Sequence, residues 1–186
     1  MKITNTLYVV TRKAWRAWLK KHYKTEKEIW LVYYRKQTGQ PRIPYNEAVE
    51  EALCFGWIDS IIKTLDNERV VQRFSPRRPK SSYSQTNQER LRKLMAQGKV
   101  AKEVLASMET IPDKQFKVPS DIAQALQGNE RAWENFQKFS EAYQRIRIAY
   151  IDSARRRPEE FRKRLRHFIV RTEKNKQFGF GIEDYF

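Results

Sequence analysis

Apolar residues recur along this chain at two spacings, and only the helical one continues past residue 120. Leu7, Tyr8, Val9 and Val10 form a short run of strand character. Behind Thr11, a residue suited to cap a helix, Ala14, Trp15, Trp18 and Leu19 recur at helical spacing. Residues 28–36, rich in Trp, Val and Tyr, predict a second strand. Alternation there puts Trp30 and Tyr34 on one face and Tyr33 on the other. Gly39 and Pro41 break that strand, and Pro44 opens a helix over about 45–56 whose apolar side is Ala48, Val49, Ala52, Leu53 and Phe55. Gly56 suits a left-handed stop.

Residues 58–65 and 70–74, separated by Asp66, Asn67 and Glu68, read as a β-hairpin. Pro76 and Pro79 make 75–84 a loop. Ser84 is placed to cap a helix over 85–97 that Gly98 ends, and a short helix over 101–108 follows. Past a loop at 110–120 the pattern is helical throughout: 120–126, 131–139, 140–156 and 158–176, with Pro158 in the first turn of the last. The Gly-rich tail around Phe178 and Phe180 carries no periodicity and is expected to be loose. The predicted class is α+β: a small antiparallel or mixed sheet with helices, over residues 1–110, then an all-helical C-terminal region, 111–186, packed on it.

Charge sharpens this picture. The chain carries net +16, concentrated in 69–102 (10 basic, 1 acidic) and 138–177 (13 basic, 5 acidic). Such blocks attract polyanions, or serve only as a solvated surface. The single cysteine, Cys54, falls in an apolar helical pattern and reads as a small core residue. One cysteine forms no internal disulfide, no stretch is apolar enough to span a bilayer, and Met1–Asn5 starts no signal peptide. A cytoplasmic protein is expected.

Standard catalytic and cofactor motifs are absent. His22 and His167 are the two histidines and lie far apart; no paired-Cys or HExxH spacing, no phosphate-binding Gly loop and no Gly-x-Ser-x-Gly elbow occurs. No metal or cofactor is expected. Polar and cationic groups gather instead around 57–87. A turn near residue 67 sets Asp59 opposite Ser75, within reach of Arg73 or Arg77. Three readings follow. The pair locks a loop, with Trp57 in the core and Ser84 and Asn87 capping a helix. Alternatively Trp57, Asp59, Arg73, Arg77, Arg78, Lys80, Ser81 and Asn87 bound a pocket for a small anionic ligand, helped by a helix N-terminus. Or Asp59 acts as a lone acid–base group. In the C-terminal block, Arg155, Arg156, Arg157, Arg162, Lys163 and Arg166 form a surface for nucleic acid, an anionic membrane, or only water.

The runs Glu51–Ser60 (EALCFGWIDS), Arg73–Ser81 (RFSPRRPKS) and Tyr83–Asn87 (YSQTN), with Trp15–Leu19 and Trp30–Lys36 upstream, resemble the YdeI/OmpD-associated, or bacteriocin-protection, proteins. Tyr83 stands where that family has Trp, and a family Thr is missing near Glu159–Arg164. The resemblance implies an α+β region like the YjbR/CyaY group, a helical extension, cytoplasmic residence and a link to tolerance of cationic peptides. It implies no established reaction or cofactor. The resulting expectation is a non-enzymatic stress-tolerance or ligand-binding protein with a basic anion-binding surface; a nucleic-acid-associated protein is the alternative.

Overall fold

Strand β2 (Ile29–Tyr34) is the sheet's hydrophobic spine, because five of its six residues are buried. The computed structural model describes residues 2–78, 81–107 and 116–186. It forms two compact units, the described residues of Met1–Tyr83 with Arg90–Thr110, and those of Ser84–Glu89 with Ile111–Phe186. The class is α+β, with a four-stranded mixed sheet and eight α-helices among the described residues.

In the first unit the strands lie in the order β1-β2-β4-β3. Strand β1 (Thr6–Leu7) runs parallel to β2, while β4 (Arg69–Pro76) is antiparallel to both β2 and β3 (Trp57–Thr64). The expected strand over 7–10 shrinks to two paired residues. Tyr8 turns instead to Tyr34, ring centroids 5.2 Å apart, and its hydroxyl donates to the Pro41 carbonyl at 2.5 Å.

One sheet face carries Ile29, Leu31, Tyr33, Gln72 and Phe74, all buried. The other carries Trp30, Val32 and Val71, with Ile3 and Tyr34 packed on them. Trp30 is fully buried and Tyr33 nearly so, so the aromatic side chains of the strand belong to the core. Helix α1 (Arg12–His22) begins where Thr11 Oγ1 accepts the Ala14 amide at 3.2 Å. Its Trp15 indole donates to the Ala48 carbonyl of α2 (Tyr45–Cys54) at 3.0 Å. Gly56, at φ +72°, makes the turn from α2 into β3 with a backbone that side-chain-bearing residues rarely adopt. Helices α3 (Gln85–Ala96) and α4 (Lys102–Ser107) follow, and α3 is divided between the two units.

The second unit is helical: α5 (Ser120–Gln127), α6 (Glu130–Lys138), α7 (Glu141–Asp152) and α8 (Pro158–Glu173). Asn129 caps α6 and Ser140 caps α7 through their side-chain oxygens. Ser120 is the first helical residue of α5, with Pro119 in the cap position. Helix α7 also stops short of 156, where the chain turns ahead of Pro158. The core joins Ile122, Leu126, Phe136, Tyr143, Ile151 and Phe168.

The tail is not loose. Ile182 is buried in that core, and the Phe178 amide donates to the Tyr143 hydroxyl at 3.0 Å. Ser140 Oγ donates to the Tyr185 carbonyl at 2.5 Å. Isolated apolar residues in a Gly-rich segment leave no periodic signal, yet Phe178, Ile182 and Tyr185 pack on the core.

Glu50 and Glu51, unremarked among the apolar residues of α2, are buried and tie α1 to α2. Arg12 reaches both, at 2.8 and 2.5 Å, and Arg16 reaches Glu51 at 2.7 Å and the Lys99 carbonyl at 2.7 Å. Glu51→Gln removes the carboxylate that Arg12 and Arg16 share, leaving Arg12 with Glu50 and Arg16 with the Lys99 carbonyl, and breaking a buried ion network of this kind costs up to about 3 kcal/mol. The urea unfolding midpoint is expected to fall accordingly. Glu103→Ala, which removes an exposed partner of Lys24, leaves it close to wild type.

Candidate functional site

The chemistry of the central segment is set by which face of β4 each residue occupies. Near the hairpin turn the register pairs Ile62 with Gln72; past a bulge at Ser60–Ile61 it slips by one residue and pairs Asp59 with Phe74. A one-residue slip exchanges faces. Asp59 therefore points to the buried side, and Arg73 to the opposite side. The expected Asp59 pairing with Arg73 or Arg77 does not form.

Asp59 instead accepts the Tyr45 hydroxyl at 3.1 Å and the Gln72 amide at 2.8 Å. Burial raises its pKa above the ordinary carboxylate value, against the opposing pull of these bonds and of Arg90. The neighbouring Tyr33 hydroxyl is buried without a hydrogen-bond partner among the described residues, and burial together with the Asp59 charge pushes its pKa up. Trp57 is core, donating to the Tyr23 carbonyl at 3.1 Å.

On the outward face, Arg73 binds Glu28 at 2.6 Å and reaches the Ser75 hydroxyl at 3.1 Å. The Thr4 hydroxyl, and then Arg73, hold the Glu28 carboxyl below its usual pKa. Arg77 lies with its guanidinium 3.3 Å from the centre of the Tyr83 ring, and bonds the Ser81 carbonyl and, at 2.8 Å, the Ser81 hydroxyl. That hydroxyl donates to the Arg78 carbonyl at 2.7 Å. The turn thus braces itself and leaves the Arg78 side chain exposed.

A cleft of about 690 Å³ opens here, lined by Lys24, Thr25, Glu26, Lys27, Ile58, Ser60, Arg73, Ser75, Pro76, Arg78 and Ser81. Of the residues singled out in the sequence, it gathers Arg73, Arg78 and Ser81. Trp57 and Asp59 face the core, Arg77 is engaged with Tyr83 and Ser81, and Asn87 belongs to the second unit. Lys80 lies outside the described residues. Residues 24–27 were missed. The antiparallel register of Ile29 with Phe74 carries the residues just before β2 alongside those just after Phe74. The lysine-rich lead into that strand was visible, but its neighbour was not.

Charges in the cleft are unequal. Arg73 is neutralised by Glu28, and Lys24 by Glu103 at 3.0 Å. Lys27 and Arg78 have no carboxylate partner among the described residues, and Glu26 is the one carboxylate in the lining. Four hydroxyls, from Thr25, Ser60, Ser75 and Ser81, line it too; those of Thr25, Ser60 and Ser81 donate to the His22, Arg73 and Arg78 carbonyls, which leaves Ser75 as the donor for a guest. Neither histidine lines it. His22 stacks on Trp18 at 4.8 Å and His167 lies 4.8 Å from Phe178. Cys54 is buried, its thiol pushed up to about 11. Among the described residues no cluster of His, Cys, Asp and Glu could hold a metal ion, and no helix is long and apolar enough to cross a membrane.

In the C-terminal block, Arg155 is taken up by Asp121 at 2.9 Å and Asp152 at 2.5 Å. Arg156, Arg157, Arg162, Lys163 and Arg166 are exposed and have no carboxylate partner among the described residues.

The protein is thus an α+β unit with a cationic cleft, joined in sequence to a helical unit. The chain belongs to the family of the domain of unknown function DUF8412, matched over residues 7–107, and carries over residues 115–175 a domain matching the family described as Bacteriocin-protection, YdeI or OmpD-Associated. The YdeI/OmpD-associated resemblance of the sequence is thus supported, on the helical segment. The runs that suggested it, within 15–87, fall inside the other match. No curated protein and no solved structure matches the chain.

The raised pKa of Asp59 has a consequence for stability. A carboxyl whose folded pKa exceeds its unfolded value favours folding when protonated, so its contribution declines as pH rises from the unfolded pKa through the folded one. Asp59→Asn keeps an acceptor for Tyr45 and Gln72 and removes the buried charge. Its melting temperature is expected to exceed that of wild type at pH 7, and the gap to close as pH falls below the carboxylate range.

Proposed function

We propose that the protein acts by binding small anions, with the cleft bounded by Lys27 and Arg78 as the place that holds them. The supporting observation is that these two cations lack carboxylate partners among the described residues and share one cleft with four hydroxyls. Opposite charge gathers the guest, and the Ser75 hydroxyl is placed to donate to its oxygens. Arg73, pinned by Glu28, serves as a wall that keeps Ser60 and Ser75 in place through bonds of 3.4 and 3.1 Å. No reaction is part of this reading. A role in protection against toxic peptides, and residence in the cytoplasm, belong to it only through the family description and the sequence.

Titration with inorganic phosphate and pyrophosphate, followed by backbone amide shifts, tests it. Saturable shifts are expected at Thr25, Lys27, Ser75 and Arg78. Lys27→Ala combined with Arg78→Ala changes two exposed side chains and is expected to weaken binding at least tenfold. An unchanged titration in that double variant rejects the cleft. Short single-stranded DNA, titrated in parallel, tests the nucleic-acid alternative. Salt-sensitive shifts confined to Arg156, Arg157, Arg162 and Arg166 would favour that surface instead.

A further inference from the structure

Helix α7 buries an arginine that finds no acceptor. Arg147 is 6% exposed, its Nε has no hydrogen-bond partner, and no carboxylate pairs with it among the described residues. Burial pulls its pKa below the usual guanidinium value. Aromatic rings surround it instead, with Phe178 at 4.0 Å, Tyr150 at 4.9 Å and Phe168 at 5.7 Å from the guanidinium carbon. Such contacts compensate in part for lost hydration, but they use none of the N–H donors. Arg171, also with a buried Nε lacking a partner, lies 5.4 Å from the same Phe178 ring.

Arg147 lines a pocket of about 500 Å³ within the second unit. Lys163 and His167 of α8 also line it, as do the rings of Tyr150, Phe178 and Phe180. Its one lining carboxylate, Glu160, is already bound to Arg164 at 2.7 Å, and Arg164 also donates to the Tyr150 carbonyl at 2.7 Å. The tail forms one wall. Gly179, at φ +141°, holds a backbone that side-chain-bearing residues rarely adopt, and a β-carbon there would lie 2.5 Å from Ile182 Cδ1. Phe180, 85% exposed, stands at the pocket unprotected by the core. A buried cation without a counter-charge, free donors and a largely aromatic lining together define what would fit.

We infer that this pocket binds a small oxyanion, carboxylate or phosphate, attached to a flat apolar body. Arg147 receives the anionic head, Lys163 adds charge beside it, and the rings of Tyr150, Phe178 and Phe180 cover the body. The site is independent of the cleft in the first unit.

The test is a titration of the full chain with benzoate, phenyl phosphate, acetate and inorganic phosphate, by calorimetry and by amide shifts at Arg147, Lys163 and Gly179. Benzoate or phenyl phosphate is expected to bind at least tenfold more tightly than its small counterpart, and the better of the two identifies the head group. Arg147→Met keeps an apolar stem under Phe178 and is expected to abolish binding. Lys163→Glu, at an exposed position that leaves the core intact, is expected to weaken it at least tenfold. Lys27→Ala with Arg78→Ala is expected to leave it unchanged, which separates this site from the cleft. Lack of saturation by either aromatic anion at millimolar concentration overturns the inference. So does a wild-type titration in Lys163→Glu, or equal affinity for the inorganic and aromatic ions.

Discussion

Between Asp59 and Ile62 the pairing of β3 with β4 slips by one residue, and the pleat converts that slip into an exchange of faces. The polar character of the first unit follows from it. Asp59 is turned inward to Tyr45 and Gln72, where its charge is costly. Arg73, left outside, takes Glu28 as its partner and holds the serines that line the cleft. Without the bulge, Asp59 would sit on the outward face beside Arg73, and the cleft would carry a further negative charge.

Buried charge is handled in two ways within this chain. In the first unit, Glu50 and Glu51 are buried but each meets an arginine, so their cost is offset and two helices are held together. In the second unit, Arg147 meets rings and a pocket, and no carboxylate pairs with it among the described residues. The first arrangement is complete as it stands. The second leaves donors unused, and unused buried donors are uncommon enough in folded proteins to call for an explanation.

Periodicity made most of the fold legible. Thr11, Gly56, Asn129 and Pro158 mark turns and helix ends through local chemistry that any reader of the sequence can apply, and the helical spacing of α1 and α2 showed which sides face inward. The alternation of β2 placed Trp30 opposite Tyr33. What stayed hidden depends on partners distant in sequence. Nothing near Lys27 shows that it lies beside Ser75, since that requires knowing that β2 pairs with β4 rather than β3. Nothing near Asp59 shows the bulge. Arg147 shares its helix with Arg145, two residues away, and burial of one and not the other has no signature of its own. Arg73, Arg78 and Ser81 were found because they cluster in sequence, while Arg77 clusters equally well yet is taken up by Tyr83 and Ser81.

Cys54 gives the first unit a property separate from any ligand. It is the one sulfhydryl in the chain, it is fully covered, and burial keeps it in the poorly nucleophilic protonated form. An alkylating reagent can reach it only when α2 lifts away from its neighbours. The rate of that single modification therefore counts openings of the α2 region one molecule at a time, and the wild-type chain carries its own probe of conformational excursions without any introduced label.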